Sequence, residues 1–155
     1  MSIARDLSVF LTGVSFADIS PQALQHAAML ISSTVASAAA GSSIASASII
    51  RHLSKDRGGT PEASIWFDSG ARLPACDAAR VNAVMSDAAA SDDSDLRNIV
   101  HAGTPLVSTC LALAELTGST GQDVLAAIVL GYEASGLSLI HISEPTRRTP
   151  ISYAV

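Results

Sequence analysis

Aromatic side chains are scarce in this 155-residue chain, at 4% of residues. A core must therefore be assembled from Ala, Val, Ile and Leu. Side chains this small let helices approach closely, which argues against a sandwich of bulky strands and for packed helices. Basic charge is also short: Lys and Arg number 9 against 14 Asp and Glu, for a net charge of −5. Neutralising nucleic-acid phosphates takes a basic face, so a nucleic-acid partner is disfavoured, and an anionic ligand must be met by local groups.

Cysteine is nearly absent. Cys76 and Cys110 lack metal-ligand spacing and are expected to be reduced and buried on opposite helical patterns. Neither a phosphate-binding loop nor a dinucleotide fingerprint is present. Asp92-Asp93-Ser94-Asp95 lacks the glycine and terminal glutamate of a calcium loop, and Leu96 stands where an Asp-Asp-x-x-Asp motif needs its last acid. No metal and no cofactor are expected.

Charge is missing altogether between His26 and Arg51. A membrane span is the first alternative to weigh, but Thr34, the intervening serines and the Gly41-Ser42-Ser43 break interrupt it, and spanning takes about 20 predominantly apolar residues. The segment reads instead as two buried helices, Pro21 to Ala40 and Ser42 to Leu53, packed through Ala and Ser faces. At the N-terminus Ile3, Leu7, Phe10, Leu11 and Val14 recur at helical spacing with Arg5 and Asp6 between them. That predicts an amphipathic helix over Ile3 to Val14 and not a secretory signal.

What is present is apolar residue, 48% of the chain, ample for one core. Ser20-Pro21 reads as a helix cap followed by a first-turn proline. Lys55 to Pro61 reads as a polar turn. Ala63 to Phe67 is the best strand, with Ser69-Gly70 turning the chain toward a short return strand, Ala71 to Leu73, and Trp66 as a packing residue. From Pro74 the helical period returns, carrying Ala78, Val81, Met85 and Ala89 down one side and fading near Ser91. Further helices are predicted over Thr104 to Leu116 and Asp123 to Tyr132, separated by Gly118 to Gly121. Gly131 suits a close helix crossing. The fold class is mainly α with one small β-hairpin.

The chemistry-bearing residues cluster between Ala79 and Glu115. Thr104 can cap through its hydroxyl and Pro105 suits the first helical position, so His101 falls just before a helix N-terminus, a favourable seat for a carboxylate. An imidazole titrates in the range that proton transfer needs. Asp92 and Asp93 repel each other as neighbours, which suits one of them to carry a proton. The structural alternatives are a packed histidine and a solvated acidic loop.

The order Asn82-Ala83, Asp92-Asp93, His101-Ala102-Gly103, Ala112-Leu113-Ala114-Glu115 and Gly131-Tyr132-Glu133 resembles the MmgE/PrpD family from about Phe16 to Gly136. That family includes 2-methylcitrate dehydratase and cis-aconitate decarboxylase. The resemblance implies a small hairpin before the Asn82 helix and a lyase acting on a citrate-like di- or tricarboxylate without cofactor or metal. It makes His101, Asp92 and Asp93 catalytic and places Ser94 and Thr104 at the substrate. Ser94 stands where many relatives have a hydrogen-bonding threonine.

The resemblance also implies a small carboxylic acid as partner, no nucleic acid, no membrane, a cytoplasmic homodimer, and a longer protein whose second half supplies basic site residues. On that reading this chain is inactive alone. It departs from the usual Asp-Phe-Asp-Asp pattern at Ala90 and Ser91, and Asp87 replaces an earlier histidine. Decarboxylation, epimerisation, or a non-enzymatic helical interaction module are the alternatives.

Leu137 to Arg147 is what a DNA string resembling a transposase-based sequencing adapter would encode, and Ile151-Ser152-Tyr153-Ala154-Val155 matches its translated continuation. Residues 1–136 are therefore expected to be the N-terminal part of a helical domain and 137–155 an adapter-derived tail. Resequencing the gene across the Gly136 codon from an adapter-free library should give a different sequence from residue 137 onward. Recovery of Leu137 to Val155 from genomic DNA would assign that segment to the protein.

Overall fold

Ser20 and Pro21 start the second helix as their types suggest: the Ser20 Oγ accepts the Ala23 N–H at 3.2 Å and Pro21 opens the first turn. In the computed structural model, which describes residues 3–95 and 100–138, the chain runs α1 (Ile3–Gly13), a short 3-10 turn (Phe16–Asp18), α2 (Pro21–Gly41), α3 (Ala45–Arg57), β1 (Ala63–Ser64), β2 (Arg72–Leu73), α4 (Ala75–Ala88), α5 (Gly103–Thr117) and α6 (Gly121–Ser138). Residues 139–155, the bulk of the segment expected to be adapter-derived, lie outside the described residues.

Helix α4 is the central element, with α2, α3, α5 and the hairpin all packed on it. Its apolar stripe is the expected one through Ala78, Val81 and Met85, all fully buried, but Ala89 caps the helix end and is only half-buried. Gly41, at the end of α2, lies so close to α4 that a Cβ there would overlap the Met85 carbonyl. Lower down, the Ser86 hydroxyl lies 3.1 Å from the Thr34 carbonyl of α2 and 3.0 Å from the Asn82 carbonyl of its own helix. At the other crossing, a Cβ on Gly131 of α6 would sit 2.6 Å from the Leu106 Cδ2 of α5, the close approach expected at this glycine.

Several boundaries differ from the sequence reading, each for a local reason. The break after α2 extends through Ile44, and α3 continues past Leu53 to Arg57, where Gly58 at φ 65° closes it by donating to the Ser54 and Lys55 carbonyls. The polar turn thus starts at Gly58, not Lys55. Neither α2 nor α3 is buried all round: Met29 is 61%, Ile49 60% and Leu53 58% exposed, because each helix packs one face on α4 and leaves the other open. Cys76 is exposed and Cys110 only half-buried, so the expected buried pair is not formed. Cys76 falls one position off the stripe that Ala75, Ala78 and Val81 follow.

The hairpin is present but short, pairing Ala63 with Leu73 and Ser64 with Arg72. The strand expected to reach Phe67 ends at Ser64, and the edge it turns away from β2 is held by Asn82. Its Oδ1 accepts the Trp66 N–H at 3.0 Å and its Nδ2 donates to the Ser64 carbonyl at 3.0 Å, so those groups belong to α4 and not to a ladder. Beyond them Phe67 and Ser69 take φ of 57° and 45° and curl the chain away. Trp66 packs on both apolar clusters, as a packing residue should.

Among the described residues no single helix is long and apolar enough to cross a membrane. Helices α2 and α3 together meet that length and composition, but they are bent by 93° at their break.

Gly41→Ala is expected to cost about 1–3 kcal/mol, because the new methyl must push α2 off the α4 backbone. Thermal unfolding by circular dichroism would show it as a lowered midpoint. Gly13→Ala, where the methyl meets nothing within 4 Å, should leave the midpoint unchanged or raise it.

Candidate active site at the start of α5

The loop between α4 and α5 is held at two points. Helix α4 ends at Ala88, and Ala90, at φ 49°, turns the chain back toward α2. There the Ser37 hydroxyl of α2 meets the Ser91 carbonyl at 3.0 Å and the Ser91 hydroxyl at 2.9 Å. Farther along, Asp95 and Val100 pair through their backbones, with N···O distances of 2.9 and 3.4 Å, and close the loop around residues 96–99, which lie outside the described set. Asp92 and Asp93 lie between these two holds and His101 follows the second.

These holds bring Asp92 and His101 together, with Oδ2 and Nδ1 3.0 Å apart. The Asp92 side chain is 12% exposed and the His101 side chain 57%. Asp93 points elsewhere. Its Oδ2 accepts the Tyr132 hydroxyl of α6 at 2.7 Å, while its buried Oδ1 lies against Gly103, where a Cβ would overlap it. Leu30 of α2 closes the same space, since that Cβ would also lie 2.6 Å from its Cδ1. The two adjacent carboxylates therefore engage different partners.

Tyr132 keeps its proton well above the ordinary tyrosine range, first because burial disfavours the phenolate, then because of the hydrogen bond and charge of Asp93 and the charge of Asp95. Sequence reasoning gave this residue no role. Its only signal was its place in Gly131-Tyr132-Glu133. Ser37, one serine among many on α2, carried no signal.

Helix α5 starts earlier than expected. Ala102 is its N-cap, without a side-chain cap bond, and Gly103 is the first helical residue. Thr104 is therefore not the cap. It lies in the first turn, 6% exposed, and its buried Oγ1 finds no partner among the described residues. Pro105 then sits third in the helix, still within the first turn, where no intrahelical N–H bond is required. The fit of Gly103 against Asp93 and Leu30 draws the start back. Ser94 is exposed on the loop.

The family model described as the MmgE/PrpD N-terminal domain matches residues 5–152. The chain belongs to the MmgE/PrpD family. Comparison with the curated proteins and with the solved structures gave no match. Within this family member, the Asn-Ala element of the resemblance proves to be structural, since Asn82 latches the hairpin to α4. The acidic element and the histidine meet at one place.

Five of the basic residues face carboxylates away from this site. Arg51 and Lys55 face Asp68 at 3.8 and 2.7 Å, Arg57 and Arg80 face Asp77, and Arg72 faces Glu115 at 2.9 Å. Except for Arg80 and Asp77, both on α4, these pairs join α3, α4 or α5 to the hairpin or to each other. Among the described residues no three His, Cys, Asp or Glu side chains converge as a metal would require. Beside the site, a cleft of about 330 Å³ opens between α2 and α6, with Ala27, Leu30, Ile128 and Tyr132 on its walls and His26 and Glu133 among its polar residues.

Because folding holds the Tyr132 proton more tightly than the unfolded chain does, the resulting stability is fully present below the ordinary tyrosine pKa of about 10 and is lost as pH rises beyond it. Ultraviolet titration of phenolate should show one late-ionising tyrosine, and Tyr132→Phe should abolish that component. A Tyr132→Phe protein that keeps it would contradict the contact with Asp93.

Proposed function

We propose that the chain forms part of a cofactor-independent lyase acting on a citrate-like di- or tricarboxylate, with His101 as the group that moves a proton or holds a substrate carboxylate. The observation that carries this reading is the 3.0 Å contact between the exposed His101 ring and the mostly buried Asp92 carboxylate at the start of α5. An exposed imidazole backed by a carboxylate has the make-up of a general base. A helix N-terminus beside it adds attraction for an anion.

Removing a proton next to a carboxylate and expelling water gives an unsaturated acid. Decarboxylation or epimerisation would begin from a similar carbanion-like state. The negative charge that builds during this step calls for fixed cations or donors. Arg51, Lys55, Arg57, Arg72 and Arg80 already face carboxylates. The family resemblance places the cations this step needs beyond residue 136, and on that reading the chain by itself is inactive. The family reading adds a homodimer working in the cytoplasm, with neither nucleic acid nor membrane as partner.

A helical interaction module is the second reading, favoured by Ile49 and Leu53, exposed one turn apart on α3 at 60% and 58%. Turnover separates the two. The 155-residue chain and the longer protein read from the resequenced gene would be assayed with 2-methylcitrate, citrate and cis-aconitate. The lyase reading expects turnover from the longer protein alone and a loss of roughly a hundredfold or more in kcat for its His101→Ala variant. Failure of the longer protein on every such acid would leave the interaction module.

A further inference from the structure

We propose that Asp92 is a positioning residue, holding the His101 imidazole in the tautomer protonated on Nδ1 so that Nε2 is the nitrogen that exchanges a proton with the substrate. The word substrate rests on the lyase reading above; the tautomer itself does not. An ionised carboxylate can only accept hydrogen bonds, and a neutral imidazole has one donor nitrogen and one acceptor. A 3.0 Å contact between the Asp92 Oδ2 and the His101 Nδ1 therefore places the proton on Nδ1. With the ring 57% exposed, Nε2 is the nitrogen left available.

Both partners are held from either side, which makes the contact preorganised. Ser91, before Asp92, is fixed by Ser37, and Asp93, after it, is fixed by Tyr132 and Gly103. Val100, before His101, is paired with Asp95, and Ala102, after it, is buried at the start of α5. The neighbouring carboxylates thus divide the work. Asp93 fixes the loop and Asp92 orients the ring. When Nε2 takes a proton from a carbon next to a carboxylate, the bonding electron pair stays on the substrate and the new imidazolium is countered by Asp92.

Long-range ¹H–¹⁵N correlation on the 155-residue chain tests this directly at about pH 9, where ordinary imidazoles are neutral. His101→Gln assigns the signals. The wild-type ring should show the Nδ1–H pattern, and Asp92→Ala should shift it to the Nε2–H form that free imidazole side chains favour, leaving the other histidines unchanged. A wild-type His101 in the Nε2–H form overturns the proposal without any variant, as does an unchanged pattern in a folded Asp92→Ala chain. In the longer protein, Asp92→Ala should lower kcat about tenfold to a hundredfold with little change in KM, as loss of an imidazole's orienting partner does. If the Nδ1–H form is intact but no citrate-like acid is turned over, the orienting role stands and the lyase reading falls.

Discussion

Helix α2 can lie directly on the backbone of α4 because residue 41 is glycine, and much of the rest follows from that contact. Ser37 is one turn before Gly41 and so lies on the same face of α2, toward α4. With α2 drawn in this far, the Ser37 hydroxyl reaches Ser91 just past the end of α4. That bond sets where the following loop departs, and hence where Asp92 and Asp93 stand. A packing constraint at one residue is thereby converted into the position of a carboxylate.

A core built from small side chains has few bulky knobs to fix the angle and register of its helices. Here buried polar groups take over part of that task. Ser86 bridges α4 to Thr34 of α2, Ser37 ties α2 to the loop, and Asn82 holds two backbone groups of the hairpin. Each such bond adds only about 0.5–1.5 kcal/mol net, but leaving its buried partners unmatched would cost more, so the bonds select one arrangement. Charge is segregated in the same way. Asp68, Asp77 and Glu115 gather Arg51, Lys55, Arg57, Arg72 and Arg80 around α3, α4 and the hairpin, while Asp92, Asp93 and His101 collect at the start of α5 without an arginine or lysine partner among the described residues.

Local sequence signals determined the helical class, the Ser20-Pro21 start of α2, the buried stripe of Ala78, Val81 and Met85, and the crossing at Gly131. These features depend on residues a few positions apart, which is the range over which a helix repeats and a cap acts. The order of short motifs carried the family and drew attention to His101. Only the tertiary structure decided the contacts between distant residues. It shortened the strand by curling the chain at Phe67 and Ser69, moved the start of α5 from Thr104 to Gly103 by seating that glycine on Asp93, and turned Cys76 outward. It also separated two aspartates that look equivalent in the sequence, giving Asp92 to His101 and Asp93 to Tyr132. Which partner each carboxylate faces depends on helices folded from elsewhere in the chain, and no run of neighbouring residues encodes that.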